Sequence, residues 1–231
     1  VKIGERVLGF RGYLDATGHT SDQTSWSAEF IYDHMLMVRA SFIRQKLDLG
    51  LEVGYENYRV IPCVPLVKAP RNECPCIASD GCSFKKTKWA MPRHIDIKTV
   101  STSKGEVRYD YVEWAGFEDK LSHRVKAIAQ SPYYTYKNIG EGFFHYLHND
   151  IHKKFLTYTL IPYDPVELAL FPDCNGEINH CLNPYEDVDF MIDSDLEMVL
   201  FEKTYNSLVK PRPKETDVFN NGIKDMGLTN K

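Results

Sequence analysis

The chain has 231 residues, with 28 basic and 32 acidic side chains and a formal net charge of −4. That length suffices for one large domain or two small ones, with a core that needs no disulfides. The slight acidic excess argues against general nucleic-acid affinity, which needs a basic face to displace phosphate counterions. No apolar run reaches the roughly 18 residues of a membrane span.

The start shows no secretory pattern, so assembly in a cytoplasm is expected. Six cysteines are present; in that compartment free thiols or a metal site are favoured over disulfides. The 14 Tyr and 12 Phe suit strands and protein contact surfaces alike.

Residues 1–24 carry several glycines and polar turn residues and read as an N-terminal arm. A long helix is expected over 25–49. Phe30, Ile31, Met35, Val38, Phe42 and Ile43 recur on one helical face. Ser25 or Ser27 can cap its start, Glu29 sits in the first turn, and Gly50 follows the end. The stripe has two readings: ordinary core, or a subunit interface in which Phe30, Met35, Val38 and Phe42 face another copy.

The stretch 58–92 is rich in proline and holds Cys63, Cys74, Cys76 and Cys82. A strand over 58–67, broken by Pro62 and Pro65, is expected at a sheet edge. Four thiolates suit a structural zinc, but intervals of ten, one and five residues between them are awkward for one tetrahedral ion. Cys174 and Cys181, with His180 between, are substitutes if the chain folds back. Free thiols, disulfides and a structural zinc site all remain open. The basic, aromatic run Lys85-Lys86-Thr87-Lys88-Trp89 closes the stretch and is expected to face a partner.

Strand-like runs follow at 106–112, 133–137, 142–148 and 154–161, with a hairpin turn at 139–142 and a short helix at 115–123. His145, His148 and His152 resemble a ligand set but read as a solvated turn. Asp164-Pro165 marks an N-cap with Pro at the first helical position. The acidic run from Glu186 to Asp195 fails the calcium-loop pattern, since Ile192 falls where glycine is needed. Asp193 is expected to cap a last helix ending before Pro211, and 211–231 reads as a C-terminal arm. No phosphate-loop, dinucleotide or nucleophile-elbow signature is present. Glu113 with Glu118 and Asp119 is no more than a chance pairing of acids.

The expected fold is therefore α+β: a 1–24 arm, a single 25–210 body and a 211–231 arm. Within the body, 25–57 is helical, 58–192 is β-rich with its Cys/Pro loop, and 193–210 is the C-terminal helix.

Several short motifs occur in a recognisable order: VLGFRGY, YENYRVIPCVPLV, the ECPC loop ending in SFKKTKWAMP, YDYVEW at 109–114, SPYYTYKN, and FPDCNG before CL. In this the chain resembles virion structural proteins of crAss-like bacteriophages, in the ring or adaptor family of the portal-to-tail connector. The resemblance implies a non-enzymatic ring, twelve-fold like the portal, contacting portal and other connector or tail proteins. It implies assembly in the bacterial host cytoplasm, residence in the virion neck or tail, and genomic DNA passing through without specific binding. Ring closure needs head-to-tail contacts between identical subunits. No cofactor is implied. The rival expectation is a metal- or thiol-dependent enzyme, or a zinc-stabilised binding module, using the 63–82 loop with His148 and His152.

Overall fold

Ile3, Val7, Phe10 and Leu14 recur every three or four residues and are all buried. They make residues Ile3–Ala16 a helix, α1, whose apolar side docks on the rest of the chain. The computed structural model describes residues 1–18, 26–70, 73, 85–114, 132–139, 142–147 and 154–209. Residues 1–18 of the expected 1–24 arm are thus a packed helix and its end, and 19–24 lie outside the described residues. Its glycines permit close packing: a Cβ on Gly4 would stand 2.9 Å from the Tyr185 carbonyl oxygen, and one on Gly9 3.3 Å from the Phe201 ring.

The helix expected over 25–49 corresponds to α2, Ala28–Asp48. Ser27 caps it by accepting the Phe30 N–H at 3.1 Å. Ile31, Tyr32, Met35 and Leu36 turn into a helical core shared with α1 and the last helix, α5, Glu197–Val209. Two short helices precede α5: α3, Pro165–Ala169, and α4, Pro184–Asp187. Asp164 caps α3 by accepting the Val166 N–H at 2.8 Å, as its Asp-Pro signal predicts.

The β half is a closed barrel of seven strands in the order β1-β2-β6-β5-β4-β3-β7. They are β1 Arg59–Lys68, β2 Lys85–Thr87, β3 His94–Thr102, β4 Arg108–Tyr111, β5 Tyr133–Ile139, β6 Gly142–Leu147 and β7 Phe155–Pro162. Every neighbouring pair is antiparallel except β4 and β5. The mixed α+β class holds. The edge position expected for β1 does not: β1 pairs with both β7 and β2. Pro62 is tolerated because the register shifts between Ile61 and Val64, so its missing N–H falls in a bulge. Cys63 sits in that bulge with a left-handed φ of 58°.

The barrel core is built from Ile61, Val64, Val100, Leu156, Tyr158 and Leu160 with their neighbours. It meets the helical layer where β7 ends. The expected helix at 115–123 and the C-terminal arm at 211–231 lie outside the described residues.

Asp193 departs from its expected role as a cap. Its side chain makes no capping bond to the 3₁₀ turn Ser194–Leu196 that leads into α5. Instead the carboxylate accepts from Lys46 Nζ at 2.8 Å and from the Asn57 amide. An acid thus ties α2, the turn before β1 and the approach to α5 together.

Candidate functional site

The cysteines do not gather as a four-thiolate site. Cys63 is disulfide-bonded to Cys174, with a Cα–Cα distance of 5.1 Å, so it supplies no thiolate. Cys74, Cys76 and Cys82 lie outside the described residues, as do His148 and His152. Among the described residues no group of three or more His, Cys, Asp or Glu side chains is placed to hold a metal ion. Cys181 is a free, exposed thiol.

The basic run at 85–89 is largely engaged within the chain. Lys86 Nζ donates to both Glu73 oxygens, at 2.9 and 2.7 Å, and the Tyr146 hydroxyl donates to Glu73 Oε2 at 2.7 Å. Burial alone would raise the Glu73 carboxyl, but the bonds from Lys86 and Tyr146 hold it below its ordinary range. Lys86 also lies 4.6 Å from the Phe144 ring centroid, and Trp89 packs edge-on against Phe171. The expected partner-facing cation is therefore an internal strut. Lys88, over the Trp89 ring at 5.1 Å, keeps the pairing of cation and ring that the sequence suggested.

His145 is also not where the sequence put it. β6 alternates, and His145 faces the barrel interior, wholly buried. Its ring is 5.1 Å from that of Tyr158, 5.7 Å from His94, and 5.8 Å from both Tyr134 and Tyr136. Neither ring nitrogen bonds to a described protein group, and neither does the Tyr158 hydroxyl. Burial pushes the His145 pKa down to about 3, with the neighbouring His94 adding to the effect. The ring is neutral at physiological pH.

Two cavities open where the barrel meets α2. The larger, about 550 Å³, is a groove lined by Met37, Ala40, Ser41, Arg44, Gln45 and Tyr163, among others. Its rim is apolar in part: Met37 is 50% exposed and Leu49 65%. The smaller, about 330 Å³, lies at the barrel mouth and is lined by Arg44, Arg93, His94, Tyr136, Phe143 and Tyr163, with Ile95. Arg44 and Tyr163 line both, so the two are neighbours.

The four residues proposed from sequence for a subunit interface divide. Met35 is wholly buried in the chain's own helical core and does not reach a neighbour. Val38 packs partly against that core, and Phe42 is half-buried. Phe30 is exposed, its ring 4.3 Å from that of His34. Sequence reading missed Met37, Arg44 and Leu49 because they lie off the apolar stripe, on the side of α2 that an amphipathic pattern assigns to solvent.

Neither a protein-family model nor a curated protein sequence matches the chain.

Proposed function

We propose that the protein is a non-enzymatic ring, or adaptor, subunit of a tailed-phage head-to-tail connector. The observation that carries this reading is the groove on the open side of α2, with Met37 and Leu49 on its rim and Arg44 and Gln45 within it. A mixed apolar and polar groove of that size suits a segment of a neighbouring subunit laid along a helix. The closed barrel supports the same route. Each described strand has a neighbour on both sides, with only short stretches of β3 and β5 unpaired beside β4, which disfavours addition of a second copy as a strand. This favours contact through helix faces and grooves. A head-to-tail contact of that kind joins two different patches, and it closes into a ring when the rotation allows.

The resemblance of the sequence-motif order to crAss-like phage connector proteins supports the placement below the portal, with portal and tail proteins as neighbours. The net charge of −4 suits a conduit wall along which DNA passes without being held. Phe30, Val38 and Phe42 stay in the proposed contact surface, and Met35 leaves it. Mass spectrometry of purified particles of the encoding phage tests the assignment. The chain should be found in the virion, in a fixed ratio to the portal protein. Intact particles that lack it would overturn the reading.

A further inference from the structure

The cavity at the barrel mouth shares Arg44 and Tyr163 with the α2 groove, and its second cation, Arg93, and the rings of Tyr136 and Phe143 lie outside that groove. Arg93 projects from just before β3, and its half-exposed guanidinium is anchored on one side. Glu167 on α3 accepts from Arg93 Nε at 2.9 Å and from the Arg93 backbone N–H at 3.0 Å. The guanidinium lies over the Tyr163 ring at 5.3 Å. Both terminal nitrogens of Arg93 remain without a bond among the described residues, although its orientation is set. A planar fork held this way is prepared to receive a second anion. Arg44, which lines the same cavity, makes no ion pair among the described residues. Tyr136 and Phe143 add aromatic surface to the same cavity, packed edge to face at 6.3 Å.

His94 lines the same cavity. The Pro92 carbonyl lies 3.1 Å from His94 Nδ1 and accepts a hydrogen bond from its N–H, which leaves Nε2 as an acceptor. Directly behind stands His145, wholly buried with both nitrogens unbonded to described protein groups, and beyond it the unbonded Tyr158 hydroxyl. Native interiors rarely leave such groups without partners. A row of three polar rings running inward from an open mouth is what a polar ligand-binding barrel presents, and barrel mouths are common sites for small ligands.

We propose that the barrel mouth binds a small aromatic anion, a planar ring bearing a phosphate or carboxylate. Arg44 and Arg93 hold the anionic group, and Tyr136 and Phe143 hold the ring. The site shares Arg44 with the proposed contact groove, but it does not rest on the ring-subunit reading, and its test reads ligand binding rather than assembly.

The test titrates the full chain with phenyl phosphate, benzoate, inorganic phosphate and phenol, followed by nuclear magnetic resonance. Phenyl phosphate or benzoate should saturate, with shifts centred on His94, Tyr136 and Phe143. Binding should be at least tenfold tighter than for inorganic phosphate or phenol. Whichever of the two binds tighter identifies the head group. Arg44→Gln, at an exposed position, should weaken binding at least fivefold while leaving thermal stability unchanged. Arg93→Gln should weaken it at least as much. The proposal is overturned if neither aromatic anion saturates, if inorganic phosphate binds as tightly, or if Arg44→Gln binds as the unaltered chain does.

Discussion

Arg39 on α2 donates from Nη1 to the carbonyl oxygen of Pro162, the last residue of β7, at 2.9 Å. The same guanidinium reaches the Tyr163 carbonyl at 3.3 Å and, through Nε, the Met191 carbonyl. The side chain is wholly buried. Burial lowers its pKa to about 10, so it stays charged at neutral pH. One buried cation thus gathers carbonyls from the end of the barrel and from the strand-like segment before α5. Replacing Arg39 with Met keeps much of the volume but strands those carbonyls. Chemical denaturation should show a loss of about 3 kcal/mol.

His145 makes the fold sensitive to acid. Its folded pKa of about 3 lies below its ordinary 6.5. The unfolded chain therefore binds the extra proton first as pH falls. Stability is full above about 6.5 and is lost as pH falls toward about 3, at up to ~1.4 kcal/mol per pH unit. His94, also lowered by burial, acts in the same sense. His145→Phe should remove much of the slope. Melting temperatures between pH 7.5 and 4.5 should fall less in the variant than in the unaltered chain.

Gly54 precedes the turn Tyr55–Asn57 that leads into β1. A Cβ there would collide with the Asp193 carboxylate. That carboxylate cannot easily move aside, because Lys46 and Asn57 hold it. Gly54→Ala should cost about 2 kcal/mol, read as a shifted denaturation midpoint with an unchanged slope.

The Cys63–Cys174 disulfide ties β1 to a segment 111 residues away. Closing so long a loop restricts the unfolded chain far more than the folded one. Cys174→Ser should lower stability by about 2–4 kcal/mol, and a reductant should destabilise the unaltered chain by a similar amount while leaving the variant unchanged.

These features differ in how far the sequence exposes them. Local signals were legible: the Ser27 cap and apolar stripe of α2, Asp164-Pro165 before α3, and the paired aromatic runs of β5 and β6. Signals that a local exception interrupts were not. Helix α1 was hidden by Gly4 and Gly9, which serve close packing rather than turns. Strand β3 was missed because register shifts at His94/Asp96 and Ile97/Thr99 break its alternation. Long-range facts have no local trace at all. Barrel closure, the parallel β4–β5 pair and the bond from Cys63 to Cys174 each depend on residues far apart in the chain. The mouth site belongs to this last kind, since Arg44, Arg93 and Tyr136 come from three separate elements.

Assembly through the α2 groove is the central claim, and electron microscopy of the purified full chain at high concentration, beside Met37→Glu, tests it most directly. A connector subunit should give closed rings with rotational symmetry, and the charged variant, still folded, should give none. Single 26.7 kDa subunits at every concentration, or rings that Met37→Glu leaves intact, would contradict the account.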